Sequence, residues 1–147
     1  MQLRYVETDA ASCSAPLLAV GVVEGADAGS GLLARLDEAL GGAVARALDS
    51  GDMRGKRGDE VRLYGPEGGA DRVVLLGLGK ADEVDAEAVR RMAGRAVRAA
   101  EAFRLEGLAI ALDGLDGVAP EARAQALAEG AGLAAWRFDE LKAEKED

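Results

Sequence analysis

A glycine turn between an apolar run and a helix-like pattern is the first feature of this sequence that could do chemistry. The stretch reads RVVLLGLGKADEVDAEAVRR, residues 72–91, and in nucleotide-binding proteins a glycine turn before a helix cradles a phosphate. A Walker loop is excluded because Val74 stands at its first glycine and Ala81 at its Ser or Thr. The dinucleotide pattern G-x-G-x-x-G fails as well, because Asp82 takes its last position.

The charge around this turn also opposes a phosphate. Four carboxylates crowd the start of the predicted helix, those of Asp82, Glu83, Asp85 and Glu87. Each would repel a bound phosphate by about 1–4 kcal/mol, depending on local screening, and Lys80 alone does not offset that sum. We therefore predict a close strand-to-helix turn in which Asp85 is the helix N-cap.

Basic residues form the second candidate site, a surface for nucleic acid. They fall into two groups, one on a predicted hairpin and one on the helix that follows: Arg54, Lys56, Arg57 and Arg62, and then Arg90, Arg91, Arg95 and Arg98. The formal net charge of −9 argues against DNA and against an anionic membrane as partners. For the helix arginines we favour a solvated or salt-bridged face, the usual behaviour of such a charge run.

Composition excludes several kinds of active site. Histidine is absent, which removes Ser-His and Cys-His dyads and the imidazole ligands of most zinc sites. The single cysteine, Cys13, rules out an internal disulfide and is interpreted as a bystander. The N-terminus lacks the layout of a secretory signal, and no apolar stretch approaches the roughly 18 residues of a membrane span. The 147 residues predict one cytoplasmic domain of ordinary size.

Hydrophobic periodicity predicts the elements that would position these residues. The alternating segment MQLRYVET predicts an edge strand, and the apolar run APLLAVGVV predicts an interior strand covered on both faces. A helix follows, with Gly41-Gly42 as a point of division; its apolar face consists of Leu33, Leu36, Leu40, Val44 and Leu48. Strands at about 60–64 and 72–78 are joined by GPEGGAD in a hairpin-like connection.

The second half of the chain adds two helices and a strand. The helix after Asp85 has a predicted buried stripe of Val89, Met92, Ala93, Ala96, Val97 and Ala100. EGLAIALDG predicts a short strand, and the closing helix begins at Pro120 beside Glu121. Its predicted inward stripe is Ala124, Leu127, Ala131, Ala134, Phe138 and Leu141. The order β-β-α-β-β-α-β-α indicates an α/β sandwich with a mixed, mostly parallel sheet.

The order and spacing of these pieces resemble the N-terminal domain of the leucyl aminopeptidase (cytosol aminopeptidase) family. In that family a Gly-Lys-x-Gly hairpin leads to a strand ending Gly-Leu-Gly-Lys, an acidic cap and an Ala/Arg-rich helix. Here the corresponding segment is GDMRGKRGDEVRLYGPEGGADRVVLLGLGKADEVDAEAVRRMAGRAVRAA, residues 51–100. The ending ALAEGAGLAAWRFDELK, residues 126–142, resembles the segment that precedes the family's catalytic domain.

The resemblance implies both a fold and a parent enzyme. The fold is a macro-domain-like three-layer α/β sandwich over residues 1–142, with 143–147 starting a linker to a catalytic domain that this chain lacks. The parent removes N-terminal, leucine-type amino acids from peptides with two divalent metals, zinc or manganese, and is a hexamer. The fragment itself is then non-catalytic, and its partners are its own catalytic domain and sibling subunits.

The same resemblance assigns no catalytic, metal or cofactor-binding residue to this chain. The family's metal ligands, catalytic Lys and catalytic Arg lie in the C-terminal domain, whose signature Asn-Thr-Asp-Ala-Glu-Gly-Arg is missing here. The Asp85-Ala86-Glu87 triplet has different neighbours and is interpreted as a helix cap.

Trp136 is the residue that we single out as a contact to another domain or subunit. It lies nine positions from Leu127, which at about 100° per residue is half a revolution around the helix and away from the inward stripe. Tryptophan is enriched at contact surfaces, although single exposed apolar residues are common.

Two other functions stay open at this point. The first is a stand-alone macro-like module that binds ADP-ribose or a related nucleotide through Asp27 and the Gly77–Gly79 turn. The acidic residues at the start of the following helix and the scarcity of aromatic residues argue against it. The second is a DNA-binding accessory domain that uses Arg54, Lys56, Arg57, Arg90 and Arg91. The net charge of −9 argues against it.

Overall fold

The centre of the molecule is a four-stranded sheet in a computed structural model that describes residues 9–146, with side chains described for residues 9–133. The strands are β1 (Leu18–Val23), β2 (Glu60–Tyr64), β3 (Arg72–Gly79) and β4 (Ala109–Ile110), in the order β2-β3-β1-β4. β1 is parallel to both β3 and β4, whereas β2 pairs antiparallel with β3. The predicted mixed, mostly parallel sheet and the predicted hairpin are confirmed.

Helices cover both faces of this sheet. α1 (Gly31–Ala39) and α2 (Ala43–Asp49) lie on one face, and α3 (Ala86–Ala102) and α4 (Pro120–Glu146) lie on the other. β1 and β3 are buried on both sides because they are apolar at nearly every position. Leu18 and Val20 face the α1–α2 layer, whereas Ala19 and the residue just before β1, Leu17, face α3. Such runs are what a parallel sheet between two helical layers requires. The three-layer α/β sandwich is confirmed.

The predicted division of the first helix at Gly41-Gly42 is confirmed. Both glycines have positive φ, 63° and 90°, a region that other residues enter at a cost. α1 therefore stops at Ala39, and α2 starts at Ala43. Val44 and Leu36 are completely buried, so both halves contribute to the same core.

α3 is the helix on which prediction and structure agree most closely. All six residues of its predicted stripe are buried, at 9% exposure or less. The side chain of Asp85 accepts a hydrogen bond from the Ala88 N–H at 2.9 Å, which confirms the predicted N-cap. A cap of this kind contributes about 1 kcal/mol to helix stability.

The inward face of α4 differs from the prediction. Ala124 is exposed, whereas Ala126 and Gly130, which the predicted stripe omits, are buried together with Ala131. Burial on α4 begins at Ala126, so the first turn with Ala124 projects beyond the core. The prediction places the large apolar residues of α4 on its inward face. In the structure α4 lies so close to α3 that small residues occupy the contact.

Several predictions lie outside the described residues. They are the edge strand at residues 1–8 and the side chains of Ala134, Trp136, Phe138 and Leu141. α4 continues to Glu146, across the predicted boundary between residues 142 and 143, and that domain division stays a prediction.

Candidate functional site

A loop at residues 53–59 covers the carboxyl ends of β1 and β3, the edge at which open α/β sheets bind their ligands. This 53–59 loop is anchored by Met53, whose side chain is 1% exposed. The backbone N–H of Gly79 donates to the Gly55 carbonyl at 2.8 Å, and that of Gly77 donates to the Asp59 carbonyl at 2.9 Å. The end of β3 is therefore bonded to the loop.

An ion pair closes the loop on itself. The Arg54 side chain donates to both carboxylate oxygens of Asp59, at 3.3 and 2.9 Å, and the Arg54 backbone N–H donates to one of them at 2.9 Å. The Asp59 side chain is only 9% exposed, although Arg54 is 56% exposed. These hydrogen bonds, the side-chain one first, lower the pKa of the Asp59 carboxyl and raise the pKa of Arg54.

Arg95 ties the same loop to α3. Its guanidinium donates to the Asp59 carbonyl at 2.9 Å and lies 3.6 Å from the Glu60 carboxylate. The side chain is 19% exposed, so this arginine lies between the helix and the loop. It belongs to the structural frame of the molecule and is not part of an open basic surface.

The Asp59 carboxylate gives a prediction about pH. Its folded pKa lies below the ordinary value of 3.8, so its contribution to stability is complete above that value and disappears as the pH falls through the folded pKa. We expect Asp59→Asn to unfold at a lower temperature than wild type at neutral pH. We expect this gap to close as the pH falls through the folded pKa of Asp59, because a protonated carboxyl resembles the amide. Thermal unfolding followed by circular dichroism measures the gap.

The matched control is Asp52→Asn, because Asp52 is exposed and close in sequence to the loop. At neutral pH its unfolding temperature should stay close to that of wild type. A gap for Asp59→Asn that stayed constant with pH would contradict a contribution from the ionised carboxylate.

These contacts occupy the positions where a phosphate would have to bind. A short 3₁₀ turn, Ala81–Glu83, separates β3 from α3, and the first turn of α3 is already capped by Asp85. The loop lies so close to β3 that a Cβ on Gly77 would come within 1.9 Å of the Lys56 carbonyl oxygen. Gly77 thus permits close contact between backbones, and Gly79 supplies a φ of 95°. A close strand-to-helix turn is therefore the simpler of the two interpretations of the Gly-Leu-Gly-Lys segment.

Comparison with known proteins identifies the domain. The sequence model for the N-terminal domain of the cytosol aminopeptidase family matches residues 19–145. The chain belongs to this family. The fold and the family resemblance predicted from the sequence are confirmed together.

Curated relatives and a solved structure agree with this assignment. The chain is 32% identical to a probable cytosol aminopeptidase of Alkaliphilus oremlandii, over 97% of the chain and 29% of the relative. It is 37% identical to that of Caulobacter vibrioides, over 97% of the chain and 28% of the relative. A tomato leucine aminopeptidase variant superposes with a TM-score of 0.63 at 30% identity, over 80% of this chain and 25% of that one. The chain thus spans less than a third of the length of these relatives.

Most of the arginines considered for nucleic acid form ion pairs or hydrogen bonds within the cytosol aminopeptidase domain, as described above for Arg54 and Arg95. Arg90 bonds to Glu87 and, at 3.0 Å, to Glu129 on α4, and these bonds, that of Glu129 first, raise its pKa. Arg91 reaches the same Glu87 at 3.2 Å. The salt-bridged helix face that we favoured is confirmed for these two residues. Lys56 and Arg57 are exposed on the 53–59 loop, and Arg98 is exposed on α3.

The residues proposed for ADP-ribose are not brought together into a pocket. The exposed Asp27 accepts a hydrogen bond from the Gly29 N–H at 2.7 Å, which is a local turn. The Gly77–Gly79 segment is covered by the 53–59 loop, as described above. Neither feature supports nucleotide binding in this domain.

The contacts that organise this loop are not predicted from the sequence. There Arg54 is assigned to a candidate nucleic-acid surface and Arg95 to a solvated or salt-bridged helix face, and Asp59 is not singled out. A signal for the Arg54–Asp59 pair is present in the sequence, because these two oppositely charged residues flank the Gly-Lys-Arg-Gly turn at residues 55–58. No local pattern indicates the contact of Arg95, which is 36 residues away from Asp59.

Proposed function

We propose that this domain is the non-catalytic accessory and assembly domain of a cytoplasmic metallo-aminopeptidase that removes leucine-type residues from the N-termini of peptides. The observation that carries the proposal is the match to the family's N-terminal domain, over a region that makes up less than a third of the relatives named as cytosol aminopeptidases. In this proposal its partners are a catalytic domain and sibling subunits of a hexamer.

The chemistry of the described side chains supports an accessory role. Four carboxylates that could otherwise serve a metal or a proton transfer have structural partners: Asp85 caps α3, Asp59 binds Arg54, and Glu87 and Glu129 bind Arg90. Within residues 9–133 no group of three or more His, Cys, Asp or Glu residues is placed to hold a metal ion. The zinc or manganese pair that the family implies therefore does not fit this part of the chain.

The membrane has no evident place in this proposal. None of the helices that the structure describes has both the length and the apolar character to cross a bilayer. The acidic net charge of −9 disfavours an anionic membrane surface as a partner.

Peptide hydrolysis tests the proposal directly. The 147-residue chain should release p-nitroaniline from Leu-p-nitroanilide at the background rate, with manganese or with zinc, while a full-length cytosol aminopeptidase run in parallel turns the substrate over. Rates above background that scale with the concentration of the chain would contradict a non-catalytic role.

The accessory role is tested on a full-length relative. We expect removal of the region that matches residues 19–145 to change the assembly state measured by light scattering, with the metal ligands untouched. A truncated enzyme that assembled as before would refute the assembly role.

A further inference from the structure

We propose that β2 pairs with β2 of a second copy of this chain, in one defined antiparallel register. β2 is the terminal strand of the described sheet, because the strand order is β2-β3-β1-β4. The outer side of a terminal strand presents backbone donors and acceptors that another strand can bind. The structure determines which residues present them and how their side chains are charged.

The hydrogen-bonding pattern fixes the outward residues. Gly77 donates to the Asp59 carbonyl and Gly65 donates to the Asp71 carbonyl, and each of these bonds joins residues that lie directly opposite in the β2–β3 ladder. Bonded and non-bonded pairs alternate in an antiparallel ladder. Odd-numbered residues of β2 therefore bond to β3, and the backbone N–H and C=O groups of Glu60, Arg62 and Tyr64 point outward. Among residues 9–133 none of these outward groups takes part in a hydrogen bond.

The same three residues share one face of the strand and are held in place there. Glu60 is bound by Arg62 at 2.8 Å and is approached by Arg95 from α3. The Arg62 guanidinium lies over the ring of Phe103, 5.1 Å from its centroid. Arg72, the neighbour of Tyr64 on β3, lies 4.1 Å from the centroid of Phe103 and 5.5 Å from that of Tyr64. Glu60, Arg62 and Tyr64 form a row along this face, which we call the β2 row. The ion pair and the cation–π contacts restrict its side chains, so less side-chain entropy is lost on binding.

Tyr64 is the residue that most clearly lacks a cover. It is 80% exposed, one of two large apolar side chains so exposed among the described residues. Tyrosine and arginine are, with tryptophan, the residue types enriched among those that contribute most binding energy at protein interfaces. A tyrosine next to two arginines on the terminal strand of the described sheet has the composition of such a contact.

Charge decides between the possible occupants of this edge. If Val61 lies opposite Val61 of a second copy, Glu60 lies opposite Arg62 twice, and each of these two pairs exchanges both backbone hydrogen bonds. The neighbouring allowed register would place Arg62 opposite Arg62, and like charges directly opposite destabilise a sheet. A uniformly acidic peptide would satisfy Arg62 but would face Glu60. The charges of the β2 row are thus complementary to those of the same row in a second copy, as a twofold contact requires.

This register also gives Tyr64 a neighbour. In this register Tyr64 lies opposite Gly58 of the second copy, in the 53–59 loop just before β2. Gly58 has no side chain that would obstruct the tyrosine ring. The strand has five residues, so the interface is smaller than a standard stable one. We expect a dissociation constant on the order of 100 µM.

Sedimentation equilibrium on the 147-residue chain, at concentrations from about 10 µM to about 1 mM, brackets this constant. We expect a monomer–dimer equilibrium that Arg62→Pro weakens about tenfold or more, because proline removes an outward N–H that the β2–β3 ladder does not use. Val61→Pro removes an inward N–H instead and should destabilise the fold, which circular dichroism would show. A wild-type chain that stays monomeric, or an Arg62→Pro variant that dimerises like wild type, would overturn the proposal.

A charge exchange tests the register. Glu60→Lys and Arg62→Glu should each lose self-association, since each places like charges opposite one another. Their equimolar mixture should recover it, because the new lysine at position 60 then meets the new glutamate at position 62, and Arg62 of the first variant meets Glu60 of the second. Circular dichroism verifies that both variants are folded. A mixture that remained monomeric would refute the pairing of Glu60 with Arg62.

The pairing of β2 strands would be one contact within the assembly role proposed above, and it rests on that role. The experiments nevertheless distinguish failure of the pairing from failure of the proposed function. A monomeric chain would refute the pairing and leave the absence of catalysis in place, whereas peptide hydrolysis by the chain would refute the non-catalytic role and leave the sedimentation result unchanged.

Discussion

Gly55→Ala is expected to lower the free energy of unfolding by about 3 kcal/mol or more. Gly55 has a φ of 80°, and a Cβ there would lie 2.2 Å from the Val23 carbonyl oxygen and 2.6 Å from the Glu24 nitrogen. Both atoms belong to the backbone, and the Glu24 N–H already donates to the Gly79 carbonyl at 2.9 Å. The backbone strain of an alanine at this φ and the steric clash of its Cβ therefore both add to the loss of stability. Neither the 53–59 loop nor the sheet can shift to relieve the clash without breaking hydrogen bonds.

A second glycine in the same loop separates the two causes. Gly58 has a φ of 93° but no atom within 4 Å of its hypothetical Cβ. Gly58→Ala should therefore show the strain alone, about 1 kcal/mol. Urea denaturation followed by circular dichroism measures both changes. Equal losses for the two variants would show that the close approach of the 53–59 loop to the end of β1 contributes nothing.

Features with a local cause in the sequence could be predicted. β1 and β3 are continuous apolar runs, and the stripe of α3 repeats at helical spacing, so burial at these residues follows from periodicity. The division at Gly41-Gly42 and the Asp85 cap depend on neighbouring residues only, and both are confirmed.

Features that depend on distant contacts could not be predicted. α3 ends after Ala102 with Arg104 at a φ of 59°, a conformation for which glycine is the usual signal, and none stands there. The 53–59 loop contains a recognisable turn, but its position over β1 and β3 depends on bonds to Gly77 and Gly79. The contacts of the loop arginines could not be predicted for the same reason, since the sequence shows their charge and not their partners.

Gly130 is the clearest case of a residue whose importance comes only from packing. A Cβ at this position of α4 would lie 2.1 Å from the Arg90 carbonyl oxygen and 3.1 Å from the Ala93 Cβ on α3. Both contacts are with backbone or with a Cβ, so no rotamer change relieves them. Arg90 is also held to Glu129 across the same interface.

We expect Gly130→Ala to lower the free energy of unfolding by about 2 kcal/mol, the cost of overpacking less the gain in helix propensity. Gly94 on α3 is the matched control from the same helix pair, because its hypothetical Cβ meets the Gly130 carbonyl oxygen at 3.6 Å, an ordinary contact distance. Gly94→Ala should therefore raise stability by about 0.5–1 kcal/mol. Urea denaturation of both variants tests the opposite signs. If Gly130→Ala were as stable as Gly94→Ala, α4 would not approach α3 as closely as described, and the small-residue face of α4 would lose its explanation.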